Sequence, residues 1–184
     1  MPIPDSRPAA FLDRDGVLNH DVGYAHRAGQ IIWVQGAATA VRRLNNAGFL
    51  VFVVTNQAGI ARGLYDGEDV ERLHAWMAGR LAEAGARIDD WRYCPYHPEH
   101  QPERFAAFAG WRKPAPGMLL DLMACWPVRR EASFLIGDRD TDMAAAAAAG
   151  IPGHLYTGGD LDGFVEGLLG GGGTAIPCAE VTRR

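Results

Sequence analysis

An α/β fold with a mainly parallel central sheet between two layers of helices is predicted by three observations. Apolar runs rich in β-branched and aromatic residues alternate with segments of helical periodicity, and continuous runs of that kind suit strands covered on both faces. Three of the runs end on a polar side chain, at Asp13, Thr55 and Asp138. The 184 residues, 48% hydrophobic and 22% charged, are enough for one domain with a full core and too few for two.

The first strand is the run AAFL that leads from Ala9 into Asp13, and the second is FLVFVVT, from Phe49 to Thr55. Between them, residues 36–47 place Ala37, Ala40, Val41 and Leu44 at helical spacing, with Gly48 as the stop. A helix over 67–84 carries Val70, Leu73, Trp76, Met77 and Leu81 on one face, before a strand over 90–94. Residues 95–116 contain five prolines and no sustained period, which predicts an ordered loop over the sheet. Helix resumes over 116–125, a further strand, ending on a carboxylate, covers 133–138, and an alanine-rich helix over 141–149 closes on Gly150. The whole chain, 1–184, reads as one module, with 170–184 a glycine-rich segment and loosely held tail.

The formal charge of −4 argues against a nucleic-acid partner, whose phosphate backbone calls for a basic surface. No leader pattern and no bilayer-length apolar run is evident, so the expected setting is the cytoplasm, away from membranes. Cys94, Cys125 and Cys178 are odd in number and far apart, as reduced thiols are. A monomer is expected.

Ligands of parallel α/β sheets collect where the strands end. Asp13 and Asp15 lie two residues apart at such an end, followed by Gly16, and Asp138, Asp140 and Asp142 put three acids in five residues at another. Each acid alone reads as a helix cap or a solvated turn. Together they would repel one another, and a hard divalent cation such as magnesium, which takes oxygen ligands and substrate phosphate, would offset the repulsion. Arg112 and Lys113 supply a guanidinium and an ammonium, and Thr55, Asn56 and Gln57 supply donors.

The strings FLDRDGVLN, TNQAGIARG, RKPAPGM and the final Gly137-Asp138 with Asp142 resemble, in this order, the four motifs of phosphatases of the haloacid dehalogenase (HAD) superfamily. They look most like the branch that contains heptose 1,7-bisphosphate phosphatase and histidinol-phosphate phosphatase, over about residues 10–157. The resemblance implies a three-layer Rossmann-like HAD fold, and the segment lengths leave no room for a large cap domain. Carried over by position, it makes Asp13 the nucleophile and Asp15 the general acid, then base. Asp13, the Asp15 backbone carbonyl and Asp138 would hold Mg²⁺, and Thr55 and Lys113 would steady the phosphoryl group. Asp21, Val22, Gly23, Tyr24, Asn56, Gln57, Ala58, Arg112 and Arg139 would contact the substrate, a small phosphorylated sugar or metabolite, and Asp142 would fix Lys113.

One departure concerns a zinc loop with Cys-x-His and Cys-x-Cys before the Arg-Lys-Pro of relatives. Only Cys94 keeps its aligned place here, so zinc is not expected. An improvised set of Cys94, His97 and His100 is the alternative, and packing of Phe105, Phe108 and Trp111 the favoured replacement. The resemblance implies heptose bisphosphate 7-phosphatase activity, in activated-heptose synthesis for lipopolysaccharide and other surface glycans. Histidinol-phosphate phosphatase is its nearest rival, and a silent phosphate-binding protein or a nucleic-acid 3′-phosphatase lies further off.

Overall fold

The computed structural model describes residues 6–171. Five strands, β1 (Ala9–Leu12), β2 (Leu50–Asn56), β3 (Asp90–Cys94), β4 (Phe134–Gly137) and β5 (Gly153–Leu155), pair in parallel in the order β3-β2-β1-β4-β5. The helices are α1 (Ala37–Asn46), α2 (Gly67–Glu83), α3 (Gly117–Cys125), α4 (Asp140–Ala149) and α5 (Leu161–Gly170).

Strand side chains alternate between two cores, as the pleat requires. Ala10, Leu12, Val51, Val53 and Ile136 face α1, α2 and α5, where Val41, Leu44, Leu73, Met77 and Val165 are fully buried or nearly so. Ala9, Phe11, Leu50, Phe52, Val54 and Leu135 face Met118, Leu119 and Leu122 of α3 and the alanines of α4. The alanines let α4 lie close: a β-carbon at Gly153 would come within 3.1 Å of the Ala146 methyl. Both cores together make the three-layer arrangement, and among the described residues no helix is long and apolar enough to cross a membrane.

Helix starts follow from local chemistry. Asp66 and Asp69 form a reciprocal cap at α2, with Asp69 N donating to Asp66 Oδ1 at 2.9 Å and Asp66 N to Asp69 Oδ2 at 3.1 Å. β5 and α5 have no counterpart in the sequence reading. α5 carries Gly163, Gly167 and Gly170 and fully buries only Leu161 and Val165, which leaves almost no period to detect. Tertiary contacts hold it instead: Arg43 of α1 grips Asp162 at 2.7 and 2.8 Å and Glu166 at 3.0 Å. Of the glycine-rich tail expected over 170–184, residues 172–184 lie outside the described residues.

The proline-rich segment crosses the carboxyl edge of β3 and contains one short 3₁₀ turn, Ala106–Trp111. Phe105, Phe108 and Trp111 do not form a single cluster. Phe108 and Trp111 meet edge to face at 5.5 Å against the α3 core, whereas Phe105 packs with Ile60, Tyr65, Val70 and Tyr93. The improvised metal set is also corrected. Cys94 is fully buried with Sγ 3.3 Å from the Phe108 carbonyl, and burial pushes its thiol up to about 11. The side chains that do converge are His97, Glu99 and His100. Because Trp111 is only half-buried, Trp111→Ala is expected to cost about 2 kcal/mol, below the ~3 to 5 typical of a fully buried aromatic. It should also lower turnover by displacing Arg112 and Lys113; denaturant melts and phosphate-release kinetics would check both.

Candidate active site

The strand order reverses at β1, whose neighbours β2 and β4 lead in opposite directions, and the crevice at such a point is where α/β sheets bind ligands. Asp13 directly follows β1 and Asp138 directly follows β4, and the two ends are held in register by Asp13 N donating to Ile136 O at 2.9 Å. Thr55 lies near the end of β2, 1% exposed. The loop before α3 then delivers Lys113 into the same crevice.

Lys113 is 3% exposed and its ammonium has three oxygen partners: Asp13 Oδ1 at 3.0 Å, Asp142 Oδ1 at 2.6 Å and the Val54 carbonyl at 2.9 Å. Burial alone would lower its pKa, but Asp13 and Asp142 outweigh burial and hold the ammonium above its ordinary value. Asn56 fixes the loop by a reciprocal pair, its Nδ2 donating to Lys113 O and its Oδ1 accepting from Lys113 N, both at 3.1 Å. Asp142 uses its second oxygen to accept from Arg139 N at 3.1 Å, which caps α4.

Asp15 is gripped from several sides. Arg14 approaches Oδ1 at 3.2 and 3.1 Å and Oδ2 at 2.8 Å, Asn19 donates to Oδ1 at 2.9 Å, and Gln57 donates to Oδ2 at 3.1 Å. Gln57 also donates to Thr55 Oγ1 at 2.8 Å and accepts from the Tyr65 hydroxyl at 2.7 Å. Burial pushes that phenol up to about 12, so it remains a donor.

Asp15, Thr55, Gln57 and Tyr65, with Asp13 and Lys113, line a polar cleft of about 400 Å³. It brings together Asp13, Asp15, Asp21, Gly23, Tyr24, Thr55, Asn56, Gln57, Ala58, Arg112, Lys113 and Arg139. Val22, by contrast, is 47% exposed and does not line it, because Gly23 turns at φ +89° and presents Tyr24 instead. Arg139 is tied to Asp21 at 2.6 Å and Arg112 to the Tyr96 carbonyl at 3.1 Å. Arg62, Tyr65, His97 and Thr141 also line the cleft, though sequence reasoning gave them no place in the substrate site. Arg62 lies inside the string TNQAGIARG, which was the available signal.

The carboxylates fit a divalent cation. One oxygen each of Asp13, Asp138 and Asp142 lies within 4.8 Å of the others, and Asp138 Oδ1 is buried with no hydrogen-bond partner among the described residues. Burial pushes Asp13 up to about 7; Lys113 pulls it down, and Asp142 and Asp15 push it further up. Burial and Asp142 raise Asp138 too, against Arg139 and Lys113. The acids therefore call for more positive charge than Lys113 supplies. Gly16 makes the room: at φ +94°, its α-carbon lies where an added β-carbon would overlap the Asp138 carboxylate. Gly16→Ala is thus expected to displace Asp138 and lower both divalent-cation affinity and turnover about 100-fold, through loss of charge stabilisation at the strand ends. Turnover titrated against magnesium checks this, and a variant of wild-type metal affinity would refute it.

Comparison with known proteins gives concordant matches. The HAD-hydrolase-like family model matches residues 110–163. The D-glycero-β-D-manno-heptose-1,7-bisphosphate 7-phosphatase of Rhodopseudomonas palustris is 50% identical over 163 residues, 89% of this chain and 91% of that protein. The enzyme of the same name from Escherichia coli K12 is 42% identical over 146 residues, 79% of this chain and 76% of its own. Among solved structures, the D,D-heptose 1,7-bisphosphate phosphatase of B. bronchiseptica, complexed with magnesium and phosphate, superposes with a TM-score of 0.75 at 31% identity, over 89% of this chain and 98% of that one. With the strand-end acids and Lys113 in one crevice, and with half of all aligned residues shared across nearly the full length of a relative, the chain belongs to the heptose-1,7-bisphosphate 7-phosphatase family of HAD-like hydrolases.

Proposed function

We propose that the protein is a magnesium-dependent phosphomonoesterase that removes the C7 phosphate of D-glycero-β-D-manno-heptose 1,7-bisphosphate, in the cytoplasm, on the route to activated heptose for surface glycans. The observation that carries this reading is the 50% identity to an enzyme of that name over 91% of its length, combined with the convergence of Asp13, Thr55 and Lys113 at adjoining strand ends.

The chemistry follows from the placement of the groups. The Asp13 carboxylate attacks phosphorus in line, the bond from phosphorus to the ester oxygen breaks, and the Asp15 carboxyl gives its proton to that oxygen as the sugar leaves. Water then attacks the aspartyl-phosphate; Asp15, now ionised, accepts the proton, and the bond from Asp13 to phosphorus breaks to release inorganic phosphate. Lys113 and the Thr55 hydroxyl neutralise and orient the phosphoryl oxygens. Asp13, Asp138 and the Asp15 carbonyl would hold magnesium, which supplies Lewis-acid charge beside the transferring group. Tyr24, Arg112 and Arg139 face the rest of the substrate across the cleft.

The test is phosphate release by purified protein with magnesium. The β-anomer of the heptose bisphosphate should exceed the α-anomer, fructose 1,6-bisphosphate and histidinol phosphate in kcat/KM by about 10-fold or more, a gap of ~1.4 kcal/mol in transition-state binding. Preference for histidinol phosphate would transfer the assignment to that activity. Asp13→Asn should keep the fold and lose about 10³-fold or more in turnover, since an amide is no nucleophile; near-wild-type activity would remove Asp13 from its role. EDTA should abolish turnover and magnesium restore it, whereas calcium, with its looser and larger coordination, should not.

A further inference from the structure

Arg14 is a fully buried cation, and the chemistry above gives it no part. Such a group persists inside a protein only when it is paired and its donors are satisfied. Arg14 meets both conditions with partners from three parts of the chain. Its Nε and Nη2 fork onto Asp15, Nη2 also donates to the Ala25 carbonyl at 2.8 Å, and Nη1 lies 3.3 Å from His74 Nε2. His74 is on α2, 60 residues away in sequence, 5% exposed and stacked on Trp91 with ring centroids 4.5 Å apart. Burial, and then the charge of Arg14, pushes the imidazole down to about 3. A neutral ring with its proton on Nδ1 has Nε2 free to accept from the guanidinium.

We propose that Arg14 is the positioning residue for Asp15, and that His74 is the anchor that holds Arg14. The proposal rests on the reading of Asp15 as the proton donor to the leaving group. A proton donor has to keep its oxygen within hydrogen-bond reach of the ester oxygen. Asn19 and Gln57 each supply only one bond, to opposite oxygens of Asp15. Among the described residues only Arg14 contacts both oxygens, and a planar guanidinium fixes a carboxylate in orientation as well as in place. The ring of His74 and the Ala25 carbonyl stop the guanidinium from turning. The aim of the acid is thereby tied to α2, an element that gives the cleft no side chain of its own.

The test separates aim from bulk structure. His74→Phe keeps a stacked ring and removes the acceptor; His74→Gln restores an acceptor; Arg14→Lys keeps the charge and loses the fork. Release of the leaving group is followed in a single turnover with magnesium, for an alkyl phosphate, which needs a proton on departure, and for p-nitrophenyl phosphate, which does not. His74→Phe and Arg14→Lys should slow the alkyl ester by about 10-fold or more, part of the ~10² to 10⁴ that a placed acid contributes. The nitrophenyl ester should fall less than about 2-fold, and His74→Gln should recover most of the loss. Equal slowing of both esters, or of neither, overturns the proposal while leaving the phosphatase reading intact; wild-type protein inert toward both esters overturns the two together. Nitrogen-15 NMR of the wild type adds a check that needs no variant. His74 should be neutral, with Nε2 unprotonated, between about pH 5 and 8, where an unperturbed imidazole changes charge; a charged ring would rule out the anchor.

Discussion

A single buried ammonium allows carboxylates from two strand ends and one helix start to share a crevice. Unit charges a few ångströms apart interact strongly once water is excluded, and Asp13, Asp138 and Asp142 would drive their loops apart without a counter-charge. Lys113 supplies part of it from the loop before α3, with Asp13, Asp142 and the Val54 carbonyl as its partners. The same contacts organise the neighbourhood. Asp142 caps α4 with one oxygen and holds Lys113 with the other, so the start of that helix and the buried ammonium form one unit. Gly137 is part of this bargain, since a β-carbon there would overlap the Asp142 side chain. Asn56 closes the circuit from β2 through its reciprocal pair with Lys113.

What could be read from the sequence follows from how far each residue's role depends on its neighbours in the chain. β1, β2 and β4 are continuous apolar runs, and their ends named Asp13, Thr55 and Asp138 directly. Lys113 carries a weaker signal; one lysine beside an arginine in a proline-rich loop resembles any solvated loop, and the likeness of the longer strings is what raises it above that. β5 and α5 were missed because three-residue strands and glycine-rich helices leave no periodicity, and the partners that stabilise them lie far away in sequence. Val22 was drawn in by its neighbours Asp21 and Tyr24, but the positive φ at Gly23 turns the chain between them. Arg14 and His74 were invisible for a related reason. Between two aspartates an arginine looks solvated, and nothing local indicates that its guanidinium is covered by α2.

Two clefts among the described residues differ in character, and size does not locate the chemistry. The larger, about 640 Å³, is lined by Trp91, Tyr93, Phe105 and Phe108 beside α2. A large apolar cavity is the ordinary first choice for a binding site. Arg92 and Arg104 also line it, however, while neither Thr55 nor Lys113 nor any strand-end acid reaches it. The smaller cleft has little apolar wall and depends on fixed charges, which suits a phosphorylated sugar whose surface is almost all hydroxyl and phosphate oxygen. Tyr65 is the partition: its ring lines both clefts, while its hydroxyl holds Gln57, which in turn holds Asp15 and Thr55. The apolar packing of Ile60, Tyr65 and Val70 therefore reaches the acid from the cleft side, as the Arg14 and His74 pair reaches it from the interior. In the proposed mechanism Asp15 changes protonation state twice per turnover, and its orientation is set from two directions, by Arg14 and by Gln57. A group that must alternate between donor and acceptor gains more from fixed geometry than from any single favourable contact, because both steps need the same oxygen in the same place.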